Sequence, residues 1–182
     1  MKLAKLFPDN ELCTACQIIL AHKYENTGAS ERILKYDETV WERTYISSND
    51  DGFVVTQLER IVESKSSKAE KIKFEKELHM CKVLANNGYD IEYLSGVNRI
   101  VGQTYDITIN NTKADLKSIT GGAGNIVKYT KKALTKQGGE AVIFELPNSN
   151  KEYYIAMAEA RRRCQGRIYF YIKGKDVLKE VK

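Results

Sequence analysis

The sequence is short of the residues from which most zinc and redox centres are built. It has two histidines, His22 and His79, and four cysteines, Cys13, Cys16, Cys81 and Cys164. Cys13 and Cys16 form a lone CxxC, with no second CxxC and no histidine pair at zinc spacing, which disfavours a zinc or thioredoxin-like reading. Ile18, Ile19 and Leu20 follow it, so reduced thiols on a packed helix explain the pattern better, and no disulfide framework is visible. No apolar run approaches the ~20 residues of a membrane span, and no signal-peptide pattern opens the sequence. Internal repeats, a GxGxxG and a P-loop are also missing.

What is present suits one domain, or one domain with a small appendage. The chain has 182 residues, 42% hydrophobic and 29% charged, enough to bury a real core. A net charge of +5 and a pI near 8.9 are compatible with a nucleic-acid partner without requiring one.

The most informative stretch runs from Tyr105 to Lys117. Tyr105, Ile107 and Ile109 alternate with polar residues, and Asn110-Asn111 suits a tight turn into a second strand. Strand side chains alternate faces, so Asp115 and Lys117 point the same way. With Asp106 one strand over, two carboxylates and a lysine can converge where a divalent cation and a phosphate would meet.

Around this hairpin the pattern predicts a helix from Glu11 to about Tyr24, then β structure over residues 32–56 with a turn at Asn49-Asp50-Asp51-Gly52. A short helical stretch at Leu58–Val62 leads into Ser64-Lys65-Ser66-Ser67, read as a linker between a small α+β region, 1–66, and a second domain, 67–182. Ser67 and Glu70 have the form of a capping box for a helix ending at Gly88. On its wheel Glu77 falls with Phe74, Cys81 and Leu84, whereas Glu75 and His79 fall outside that arc. An acid on an inward face must find a cation or a hydrogen bond. A strand at Tyr89–Leu94, a helix from Asn125 to Gln137, a strand at Ala141–Leu146, a helix from Lys151 to Cys164 and a strand at Arg167–Ile172 complete the prediction. From residue 67 the order is α, β, β, β, α, β, α, β.

Glu77 on a helix, Asp106 before one strand and Asp115-Leu116-Lys117 on the next resemble the PD-(D/E)xK nuclease superfamily. The core order αβββαβ, here with an αβ extension, resembles it too. Within that superfamily, Asp106, Asp115-Leu116-Lys117-Ser118, Asn125-Ile126, the lysines from Lys128 to Lys136 and the strand Ala141–Leu146 resemble C-terminal tRNA-nuclease toxin domains of contact-dependent growth inhibition proteins. Related nucleases of phages and mobile elements share the layout. Tyr105 stands where the motif has proline, and residues 1–66 match no module.

The resemblance implies an α/β nuclease fold and hydrolysis of phosphodiester bonds with Mg²⁺ or Mn²⁺. Glu77, Asp106 and Asp115 are its expected metal ligands, with Lys117 holding the phosphate and Lys128 as an additional site residue, backed by Lys132 and Gln137. Asn125, Lys128, Lys132 and Lys136 share one helix face and would contact nucleic acid, tRNA rather than DNA, in the cytoplasm of a target cell. An acidic immunity protein would be the partner. The alternatives are a DNA endonuclease of a phage or mobile element, and an inactive nuclease fold serving as a binding or virion module. The Gly121–Gly124 loop reads as a connector, and Arg161, Arg162 and Arg163 complement a helix dipole or touch a phosphate backbone.

Overall fold

The structure, a computed structural model, describes residues 27–96 and 104–182. The expected helix at 11–24, the Cys13/Cys16 pair and His22 lie outside the described residues. Gly28 precedes a helical turn, α1 (Ala29–Arg32), that continues as a 3-10 turn at Ile33–Lys35. Ile33 and Tyr36 had been expected in strands. Short apolar runs do not by themselves distinguish helix from strand, and here Ile33 packs as a helical knob on Phe53 and Val55.

Next come β1 (Trp41–Ile46) and β2 (Phe53–Gln57), an antiparallel hairpin turned at residues 49–52, where Asp50 takes a left-handed φ of 57°. Helices α2 (Leu58–Ser64) and α3 (Lys68–Asn86) follow. The Ser67 side chain caps α3 by accepting from the Glu70 amide at 3.1 Å, and Gly88 closes it at φ 83°.

Strand β3 (Asp90–Tyr93) leads to the central hairpin, β4 (Ile107–Ile109) and β5 (Thr112–Ser118). Asn110 and Asn111 both take left-handed φ, 46° and 65°, as a two-residue hairpin turn that matches strand twist requires. Then come α4 (Gly124–Thr135), β6 (Ala141–Leu146), α5 (Lys151–Arg163), β7 (Arg167–Ile172) and β8 (Lys175–Glu180). The element order expected from residue 67 is observed, with β8 in addition.

The eight strands of the described residues form one mixed sheet in chain order, β1 to β8. Pairs β2/β3, β5/β6 and β6/β7 are parallel, and the others are antiparallel. Both sides of the boundary expected at 66/67 contribute to this sheet. The described part of 1–66 is built into it rather than appended: Val54 pairs with Ile91 and joins the core cluster of α3. Gly52 is pressed against the end of α3, where an added Cβ would meet the Ala85 carbonyl oxygen at 2.4 Å.

Alternation sorts the core into layers. Ala141 and Ile143 of β6 pack with Met80, Cys81 and Leu84 of α3 on one face. Val142, Phe144 and Leu146 pack with α4 and α5 on the other. A strand covered on both faces reads as a continuous apolar run. Its one acid, Glu145, is satisfied by hydrogen bonds from Ser118 (2.7 Å) and Tyr171 (3.1 Å). No helix among the described residues is long and apolar enough to cross a membrane.

Candidate active site

The chain places Asp115 in the middle of β5, a strand paired on both edges, opposite Val142 of β6. Position alone therefore buries it: Asp115 is 0% exposed. Among the described residues neither of its carboxylate oxygens has a hydrogen bond. The Lys117 ammonium stands 2.5 Å from Oδ2 as an ion pair. Burial first, then the neighbouring Asp106 carboxylate, push the Asp115 pKa up to about 8, against the pull of Lys117.

Asp106 precedes β4, and its Oδ2 accepts from the Leu116 amide at 3.0 Å and lies 3.9 Å from Lys117 Nζ. Lys117 in turn donates to the Leu116 carbonyl at 3.2 Å. Two carboxylates, a carbonyl oxygen and an ammonium thus gather around one peptide unit. An unbonded, fully buried carboxylate is costly alone and is what a hard cation relieves. Aspartate and carbonyl oxygens are a donor set for Mg²⁺ or Mn²⁺, which keep part of their water shell.

Glu77 faces inward from α3, as its wheel position predicts, and Glu75 and His79 are exposed. It does not complete a three-acid cluster, however. Among the described residues no three His, Cys, Asp or Glu side chains come together as a metal-binding group. Glu77 Oε2 instead accepts from the Tyr93 hydroxyl at 2.6 Å and from Arg60 at 3.4 Å. Burial and then the charge of Asp106 raise its pKa, opposed by Tyr93, Lys73 and Arg60. Glu77, expected to bind a metal directly or through water, is held by this second network.

Asp106, Lys117 and Glu77 open on one cleft of about 360 Å³, lined also by Lys132, Gln137, Arg60, Lys73, Tyr93, Glu63 and Glu70, whereas buried Asp115 does not line it. Leu94 and Gly96 after β3 and Thr104 before β4 frame it, so the cleft sits where those two strands leave the sheet. Of the lysine stripe on α4, Lys132 lines the wall. Lys128, expected as the additional site residue, is exposed and lies off the cleft, as does Lys136. A shared helix face cannot say which turn meets the site. Asn125 is half-buried near the start of α4 and likewise lies off the cleft.

Gln137 anchors the far wall through its backbone carbonyl, which accepts from Thr104 at 2.9 Å. Arg60 was missed from sequence, because it lies in a short helix before the expected boundary and only tertiary contacts bring it here. Ser118 is taken up by Glu145 and has no part in the cleft.

No family model matches the chain, and no curated protein matches it. Among solved structures it is similar to a CdiA-CT/CdiI toxin and immunity complex from Burkholderia pseudomallei. The identity is 17% and the TM-score 0.48, over 65% of this chain and 90% of that chain.

Proposed function

We propose that the protein is a metal-dependent nuclease that hydrolyses RNA. The observation that carries this is the Asp115 carboxylate, fully buried with neither oxygen hydrogen-bonded among the described residues, beside Asp106 and Lys117, which line the cleft. Asp106, Asp115 and the Leu116 carbonyl would hold Mg²⁺ or Mn²⁺. That ion supplies Lewis-acid polarisation of a phosphoryl oxygen and a water of lowered pKa.

Lys117 would turn from Asp115 to a phosphate oxygen and neutralise charge that develops there. Glu77, which lines the same cleft, would act through a water rather than as a direct ligand. Lys132 would take the next phosphate along the cleft, and exposed Lys128 and Lys136, with Asn125, phosphates beyond it.

Two further parts of the reading rest on the residue order Glu77, Asp106, Asp115-Leu116-Lys117 and its resemblance to toxin tRNases. They are tRNA as the substrate, reached in a target cell's cytoplasm, and an acidic immunity protein as the partner. The basic cleft residues Lys117 and Lys132 would favour such a partner through charge complementarity. Folded RNA is held largely by shape and phosphate contacts, for which a compact basic face suffices.

The test is incubation of the purified protein with tRNA and with plasmid DNA in Mg²⁺, with EDTA controls. Cleavage of tRNA, abolished by EDTA and leaving plasmid intact, is the expected result. Nicked plasmid with intact tRNA would identify a DNA endonuclease, and no hydrolysis of either in Mg²⁺ or Mn²⁺ would remove the nuclease reading.

A further inference from the structure

Arg60 is an arginine only 3% exposed, on a helix of seven residues. Its guanidinium lies 5.4 Å from the centroid of the Phe74 ring and 5.2 Å from that of Tyr93. Nε donates to the Tyr93 hydroxyl at 3.1 Å, and Nη1 pairs with Glu63 at 3.3 Å and Glu70 at 3.5 Å. The Phe74 and Tyr93 rings stack at 5.4 Å between centroids and 21° between planes. Arg60 and the Tyr93 hydroxyl are therefore fixed on every side before either meets Glu77.

Both then engage the same atom. Oε2 of Glu77 takes the Tyr93 hydroxyl and the Arg60 Nη2, whereas among the described residues Oε1 has only the Lys73 ammonium, 3.8 Å away and half exposed. Packing alone does not call for this arrangement. A buried ion-pair network is no more stabilising than apolar side chains of equal volume. Carboxylates set by rigid partners on one oxygen are the usual means of aiming the other.

We infer that Arg60 and Tyr93 are positioning residues of the candidate site. They clamp Glu77 by Oε2 and present Oε1 to the cleft, where it holds a water of the cation bound by Asp106 and Asp115. The inference rests on the metal-site reading of that aspartate pair. It places the work of the third acid outside direct ligation, and it assigns a function to a residue from before the expected domain boundary.

A double-mutant cycle on the full chain tests it, with Mn²⁺ titration calorimetry as the readout and tRNA hydrolysis measured beside it. Glu77→Gln and Tyr93→Phe should each weaken Mn²⁺ about tenfold, the usual loss for an outer-shell partner. The double variant should be no weaker than Glu77→Gln alone, because Tyr93 acts only through Glu77. A merely structural hydroxyl would lower the melting temperature equally in both backgrounds and leave the isotherm unmoved.

An unchanged Mn²⁺ affinity in Tyr93→Phe, losses that multiply in the double variant, or no Mn²⁺ binding by the wild type would overturn the inference. Should Tyr93→Phe not fold, Arg60→Lys enters the same cycle, keeping the charge but losing the fork that reaches two partners. Mn²⁺ binding without hydrolysis would end the nuclease reading alone, and the cycle would still decide the roles of Arg60 and Tyr93.

Discussion

Replacing Asp115 by asparagine should make the metal-free protein more stable at pH 8 and leave its stability unchanged at pH 5. The carboxyl titrates near 8 in the fold against 3.8 when free. The folded state binds this proton more tightly than the unfolded state. Its contribution to stability is therefore complete below about 3.8 and is lost as pH rises through about 8. At about 1.4 kcal/mol per pH unit, the cost at pH 8 is roughly 5 kcal/mol, and at pH 5 about 1–2 kcal/mol.

Asparagine carries no charge but brings a buried amide without a partner, worth about 1–3 kcal/mol against it. The net gain is then about 2–4 kcal/mol at pH 8 and near zero at pH 5. For a domain of this size each kcal/mol moves Tm by about 2–4 °C, so the pH 8 gap should be roughly 10 °C. The assay is thermal unfolding of both proteins in EDTA at the two pH values, repeated with Mn²⁺. The ion should raise the wild-type Tm and leave that of Asp115→Asn unmoved. An Asp115→Asn protein less stable than wild type at pH 8 in EDTA, or stabilised equally by Mn²⁺, would refute the reasoning.

Lys117→Ala should lower kcat for tRNA about 10²–10³-fold, the usual loss on removing a group that stabilises developing charge, with Tm within a few degrees of wild type. Steady-state hydrolysis and thermal unfolding on one preparation check this, and activity lost only in step with unfolding would reassign Lys117 to the fold. Gly52→Ala should cost about 3 kcal/mol, or roughly 6–12 °C in Tm, because the new methyl meets backbone atoms of Ala85 and Tyr89 that cannot turn aside. A wild-type Tm for that variant would mean that the β1–β2 hairpin does not press on α3 as described.

Most of the fold could be read locally because its signals are local. Asn110-Asn111 forces a hairpin, Ser67 caps a helix, and Ala141–Leu146 is apolar because both faces are covered. The same alternation placed Asp115 beside Lys117, and helical spacing turned Glu77 inward. The sequence could not show what depends on distant neighbours. β8 is polar and exposed along an edge, so it lacks the pattern of a strand and forms by pairing with β7. Arg60 reads as an ordinary charged helix residue until Phe74, Tyr93 and three glutamates enclose it. Lys128 and Lys132 are equivalent on a helical wheel, and only the height of α4 against the sheet makes Lys132 the one at the cleft.

The sheet's strand order has a consequence for how the molecule opens. Each described strand lies beside its predecessor in the chain, so among the described residues no strand is inserted between two that formed earlier. Such a sheet can grow as it is synthesised, each new strand docking on a finished edge, once the helical crossovers of the parallel pairs β2/β3, β5/β6 and β6/β7 have closed. It can also come apart in the reverse order. A pull on the C-terminus meets β8 first, a strand with mostly exposed side chains and one neighbour. The two-sided core at β6 resists only after β8 and β7 have gone. Local opening should therefore be graded, with amide protection lowest at β8 and highest at β5 and β6. The cleft lies beside that most durable part, and its acids keep their places while the margins of the sheet breathe.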